Sequence, residues 1–165
     1  MRRNLIKLGS TLIFCLSILM AACQRKGQDE IYLIPKGFEG NIFIVFDQGN
    51  GNDILYKDGK RLYVLDNLGT LKTKFKPNYG IIDRAYYYYN DKQGNFTPIK
   101  YVYQNSSKYS NEVVACIAEI SKSYLETKKT DVHIGMIAIG KQKNIKKIIE
   151  QRSSEMWNLI KQLHQ

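Results

Sequence analysis

Apolar positions along this chain recur with two periods. From residue 31 to about residue 139 they come in short β-branched or aromatic runs, each cut off by glycine, proline, asparagine or aspartate. That is the pattern of strands joined by tight turns. Residues 31–34 form the first run, closed by Pro35, and residues 41–47 the second and strongest. Residues 53–56 and 61–66 flank Lys57-Asp58-Gly59-Lys60, whose Asp-Gly pair suits a two-residue hairpin. Residues 70–76 set Leu71 and Phe75 among lysines, as a half-exposed strand would. Residues 84–89 and 96–103 read as a hairpin around a turn at 90–95, and residues 132–139 as a buried strand. Residues 112–124 fit either a strand or a helical stripe through Val113, Ile117, Ile120 and Tyr124; their β-branched content favours a strand.

After residue 144 the period lengthens. Ile145, Ile148, Ile149, Met156, Ile160 and Leu163 lie on one helical face with lysines opposite. The spacing predicts an amphipathic helix over 144–163, with a kink or break at Ser153-Ser154. Its stripe suits packing on the sheet; a helix lying in a membrane surface is the alternative. Many short strands followed by one helix predict a mainly β fold, an antiparallel β-sandwich or partly open barrel with a C-terminal amphipathic helix. There is no internal repeat.

The N-terminus differs from all of this. Arg2, Arg3 and Lys7 precede an apolar run over 12–22, which is too short to span a bilayer comfortably. A basic head, a short apolar middle and small closing residues are the parts of a secretory signal. The run ends Leu19-Met20-Ala21-Ala22-Cys23, which resembles the lipobox of bacterial lipoproteins. The resemblance implies cleavage before Cys23, diacylglycerol on its thiol and acylation of the freed amine; Met20 stands where Leu is usual. Several acyl chains anchor stably where one is marginal. The expectation is a signal peptide over 1–22, a flexible polar tether over 23–30 and a single β-rich domain over 31–165. No Asp follows Cys23 directly, which favours an outer membrane over inner-membrane retention.

Composition narrows the partners. The chain of 165 residues carries a net charge of +10, and +7 once the three cations of 1–22 are set aside. Its lysines are scattered, which reads as a solvated surface. Export also argues against nucleic acid as a partner. With Cys15 in the apolar run and Cys23 as the lipid site, Cys116 has no partner for an intramolecular disulfide, and its apolar setting reads as a buried inert thiol.

Little of the sequence suggests catalysis. His133 and His164 are the two histidines, and no nucleophile elbow, histidine-rich metal motif or phosphate loop occurs. A Cys116–His133 pair on neighbouring strands lacks any local signature. Residues 47–53 are rich in oxygen ligands but miss the spacing of a calcium loop, and a turn wants the same residues. No enzyme, cofactor or metal is expected. The aromatic run Tyr86-Tyr87-Tyr88-Tyr89 sends two rings to each face of a strand, with Tyr101 and Tyr103 on the predicted partner strand. An outward pair would suit recognition of a glycan or an envelope protein.

Tyr32-Leu33-Ile34-Pro35-Lys36-Gly37-Phe38-Glu39-Gly40 followed by Ile42-Phe43-Ile44-Val45-Phe46 resembles the opening of a family of small bacterial exported proteins and lipoproteins with a conserved domain of unknown function. The later order is similar through residue 104 and looser beyond it; the family's proline-rich loop after the second strand is here residues 48–52, without proline. The resemblance implies an exported β-domain and no particular activity. Read physically, Pro35 ends an edge strand, Gly37 and Gly40 supply turn conformations, and Phe38 tucks inward to pin the turn. Two functions follow as expectations: a membrane-anchored envelope binding or accessory module, or an inhibitor or immunity-type lipoprotein against a lytic enzyme or toxin.

Overall fold

The computed structural model describes residues 26–90, 95–102, 110–125 and 129–163. The signal segment and Cys23, most of the 90–95 turn, Tyr103 and His164 lie outside the described residues. The chain divides into two units. In the smaller, Lys26 bridges Ile81 in parallel and the Gly27 N–H donates to the Ile81 carbonyl at 2.9 Å. The larger comprises residues 28–77 and 83 onward, and carries all the elements that follow.

Nine strands build one sheet: β1 (Glu30–Pro35), β2 (Gly40–Val45), β3 (Tyr56–Lys57), β4 (Lys60–Val64), β5 (Thr70–Lys72), β6 (Arg84–Asn90), β7 (Asn95–Val102), β8 (Val113–Leu125) and β9 (Thr130–Lys141). Among the described residues a single helix, α1 (Ile145–Leu163), follows. The strand order is β3-β4-β1-β6-β7-β8-β9-β2-β5, and the sheet curls into a half-barrel. The mainly β, partly open barrel with a C-terminal helix is therefore the fold, and the segment 112–124 is strand. The strands are not simply antiparallel, however. β1 runs parallel to both β4 and β6, β2 to β5, and β7 to β8. Strands adjacent in sequence, such as β1 and β2, lie far apart in the sheet, so turn lengths alone do not reveal the pairing.

One segment ties the two ends of the sheet together. Asn52 pairs with Thr73, just past β5, through Asn52 N–H to Lys72 O at 2.8 Å and Lys74 N–H to Asn52 O at 3.1 Å. Four residues later Tyr56 pairs with Arg61 of β4. Asp58 and Gly59 both take positive φ, 52° and 74°, as the Asp-Gly hairpin requires. The stretch read as two separate pieces, loop 48–52 and strand 53–56, is thus one clasp spanning the open side. Gly51 is needed there, since a Cβ would sit 2.7 Å from the Thr73 backbone nitrogen.

The inner face of the curl holds the main core, with Ile34, Ile42, Ile44, Phe46, Leu65, Leu71, Ile137 and Ile139 all buried. The outer face of β2, β8 and β9 is covered by α1: Leu159, Ile160 and Leu163 pack on Phe43, Val45, Val132 and Ile134, and Ile145 packs on Val114, Cys116 and Ala138. β9 is thereby covered on both faces, which explains its unbroken apolar run. The helix is continuous. Ser154 donates to the Gln151 carbonyl at 2.8 Å without ending it, so the serine pair produces no break. Cys116 is fully buried beneath this helix.

Candidate functional site

The predicted tyrosines split between two faces of β6. Tyr86 points into the curl and is buried at 2% exposure; Tyr88 packs against the same core, its hydroxyl donating to the Phe38 carbonyl at 2.6 Å. Tyr87 and Tyr89 alternate to the outer face. Tyr87 meets Phe96 edge-on at 6.5 Å, and the Tyr89 hydroxyl donates to Leu65 O at 2.9 Å. All four rings are at least half-buried, so the run is not a fully exposed aromatic strip. Tyr101 faces inward on β7 and keeps an exposed edge, at 37%.

Inside the curl, tyrosines from four neighbouring strands form a ladder. Tyr63 (β4) stacks on Tyr32 (β1) at 4.9 Å, Tyr32 on Tyr86 (β6) at 5.1 Å, and Tyr86 near-parallel to Tyr101 (β7) at 6.0 Å. Parallel register places them so, since Tyr32 is opposite both Tyr63 and Tyr86. The β6–β7 hairpin pattern announces two of these rings, Tyr86 and Tyr101; Tyr32 and Tyr63 become their neighbours only through the non-local pairing of β1 and β4.

Glu30 stands at the foot of the ladder and was not among the sequence candidates. The sequence pattern places it, with Gln28 and Asp29, in the flexible tether over 23–30, yet Glu30 opens β1 and is 2% exposed. Its carboxylate accepts from the Tyr32 hydroxyl at 2.6 Å, the Tyr63 hydroxyl at 3.3 Å and Arg84 Nε at 2.9 Å. Residues 28–30 are strand-bound: Arg61 N–H donates to Asp29 O, and Glu30 N–H to Asp83 O. The interleaved position of β1 also corrects the edge-strand reading of Pro35. It is the last residue of an interior strand, extending past the end of β4, where its missing N–H leaves no gap in that ladder.

This cluster sets its own electrostatics. Burial, with the Glu30 carboxylate next, pushes the Tyr32 hydroxyl well above its usual pKa; burial does the same for Tyr63 and Tyr86. Burial alone would lower the Arg84 guanidinium, but Glu30 together with the Tyr32 and Tyr86 hydroxyls outweighs it, so its pKa lies above the usual value. The adjoining cavity, bounded by Glu30, Tyr32, Arg84 and Gly135, measures only about 10 Å³, room for one water and no substrate. The Tyr86 hydroxyl is buried with no hydrogen-bond partner among the described residues. The arrangement locks β1 between β4 and β6.

The other sequence candidates are separated. Cys116 pairs with Ala138 on the helix side of the sheet, whereas His133 lies five residues further along β9, opposite Lys122. At about 3.3 Å per residue the two are too distant to act together. In the 47–53 loop, Gln48 N–H donates to Thr73 O and Gly51 N–H to Gln48 O, and Asp53 accepts from Lys74 at 2.6 Å, which holds its carboxyl below the usual range. Among the described residues no group of three or more His, Cys, Asp or Glu could hold a metal ion.

A family model described as a family of unknown function, DUF6843, matches residues 26–151. The chain belongs to this family. The match begins at the first described residue and runs into α1, so the family unit includes the clasp, the ladder and Glu30. The half-barrel is also similar to a solved chain from Bacillus anthracis described as a lipoprotein, at 18% identity and a TM-score of 0.51, over 68% of this chain and 70% of that one. At that identity the likeness is one of fold. No curated protein matches the chain.

Proposed function

We propose that this DUF6843 member is a lipid-anchored protein of the bacterial envelope, cut before Cys23 and acylated there, whose half-barrel is a binding or accessory module rather than an enzyme. The observation that carries the reading is the Leu19-Met20-Ala21-Ala22-Cys23 sequence at the end of a short apolar run, with strand pairing beginning a few residues later at Lys26. The fold shared with a chain described as a lipoprotein supports it. No described helix is long and apolar enough to cross a membrane; in this reading the attachment is the lipid on Cys23. An outer membrane is the favoured location where the organism has one.

A module of this kind needs a face. The outer surface of β6 and β7 offers Tyr87, Tyr89, Phe96 and Pro98, with Phe96 47% exposed. Metabolic labelling with palmitate tests the anchor: label and membrane association are expected in the wild type and absent in Cys23→Ala. A soluble, unlabelled wild-type protein would overturn the reading. Crosslinked pull-down from intact cells tests the face. Tyr87→Ser, which leaves the ladder untouched, is expected to reduce partner capture at least several-fold; unchanged capture removes this surface.

A further inference from the structure

The chain has a single tryptophan, and the fold leaves it outside. Trp157 is 58% exposed on α1, beside the turn whose Leu159, Ile160 and Leu163 pack on the sheet. Lys161 Nζ lies 5.7 Å from its ring centroid, so an aromatic body and a cation share one patch. The topology fixes where that patch lies. β1 runs parallel to β6, β6 antiparallel to β7, and β7 parallel to β8, so β8 ends at the end of the sheet where β1 begins. The β8–β9 hairpin reaches its last pair there, Leu125 opposite Thr130, and the final turns of α1 pack on Leu125 and Val132. Tyr124, 56% exposed, stands on the other face of this hairpin, and Lys129 is exposed at its tip. Asp131 is offset by Lys122 at 2.8 Å.

The N-terminal chain arrives at the same end. Glu30 and Ile120 line one small cavity, and beyond Ile120 β8 continues to Leu125, a further run of about 17 Å at roughly 3.3 Å per residue. The stretch from Cys23 to Glu30 spans at most about 24 Å when fully extended. With β8 upright, even a taut tether from a lipidated Cys23 therefore keeps the hairpin within about 10 Å of the bilayer surface. Tryptophan and tyrosine rings favour the headgroup layer of a bilayer, and lysine side chains extend to its phosphates. We propose that this end of the molecule is a second, non-covalent membrane contact: Trp157 and Tyr124 sit among phospholipid headgroups, Lys161 and Lys129 meet their phosphates, and the half-barrel stands upright on the bilayer. The inference rests on the anchor reading and gives the anchored module a fixed orientation.

Because Trp157 is the sole tryptophan, its emission reads this surface alone. The test reconstitutes the acylated protein in vesicles of phosphatidylethanolamine and phosphatidylglycerol, with and without lipids brominated near the headgroup end of their acyl chains. Trp157 emission is expected to shift to shorter wavelength and to be quenched at least about two-fold by the brominated lipid. Leu68→Trp in a Trp157→Phe background is the control. Leu68 is 83% exposed between β4 and β5, at the opposite end of the sheet, and emission from this variant should not be quenched. Protein that floats with the vesicles yet leaves Trp157 unquenched overturns the contact and keeps the anchor. Equal quenching at both positions overturns it by showing that no orientation is fixed. A shift to shorter wavelength without quenching assigns the surface to a protein partner and overturns it as well. A chain that carries no palmitate overturns the anchor, and this inference with it.

Discussion

Glu30 concentrates more of the fold's polar bonding than any neighbour, and its removal should show it. A buried ion pair broken from one side leaves an uncompensated charge and typically costs about 3–5 kcal/mol. Glu30→Ala strands the Arg84 guanidinium and two tyrosine hydroxyls, so its urea-unfolding free energy should fall by about that amount. The double replacement Glu30→Leu with Arg84→Met removes both charges and should recover most of the loss, because well-packed apolar side chains often substitute for a buried pair at no net cost. The tyrosines add a pH dependence. Burial, with Glu39 nearby, raises Tyr88 to about 12 from an ordinary 10.0. The folded state therefore holds a proton that the unfolded state releases. Its contribution is intact below pH 10 and is lost as pH rises toward 12. Tyr88→Phe should lower stability near neutrality, through the lost bond to Phe38, yet flatten the fall in urea midpoint between pH 10 and 12.

At the scale of elements, the strands with strong local signals were legible in the sequence. β2, β6, β9, the Asp-Gly hairpin and α1 each carry periodicity or turn chemistry that survives without tertiary context. β8 was ambiguous because its outer face, Val114 and Cys116, lies under a helix while its inner face lies in the core; two-sided burial erases alternation. A register shift between Cys116 and Glu119 blurs it further. Glu30 and the clasp were illegible for another reason. Their roles come from β1 inserting between later strands and from Asn52 meeting Thr73, pairings that no local pattern encodes. The tyrosine run was visible, but its division into a buried ladder and an outer pair required knowing what each face of β6 meets. The clasp can be tested by itself. Gly51→Ala drives a Cβ into the backbone of Lys72 and Thr73, an overpacking worth about 1–3 kcal/mol. Amide exchange at Asn52 and Lys74 should accelerate while β9 amides keep their protection.

For the whole molecule, Cys116 is a reporter of global opening. It is 0% exposed beneath α1, so a thiol reagent should reach it only when helix and sheet separate. In a chain with Cys15 and Cys23 replaced by Ala, labelling in buffer should be slower than in strong denaturant by at least about a thousand-fold, as expected for a site exposed only with a core several kcal/mol from opening. Labelling at comparable speed in both would mean the helix detaches on its own. The place where β1 enters the sheet has a mechanical consequence as well. Any pull arriving from the Cys23 side enters the larger unit at Gln28 and passes into β1, a strand flanked by two parallel partners; directed along that strand it meets both. Such a load shears both hydrogen-bonded ladders at once instead of peeling them one bond at a time. The end of the chain nearest the proposed tether is built to bear tension.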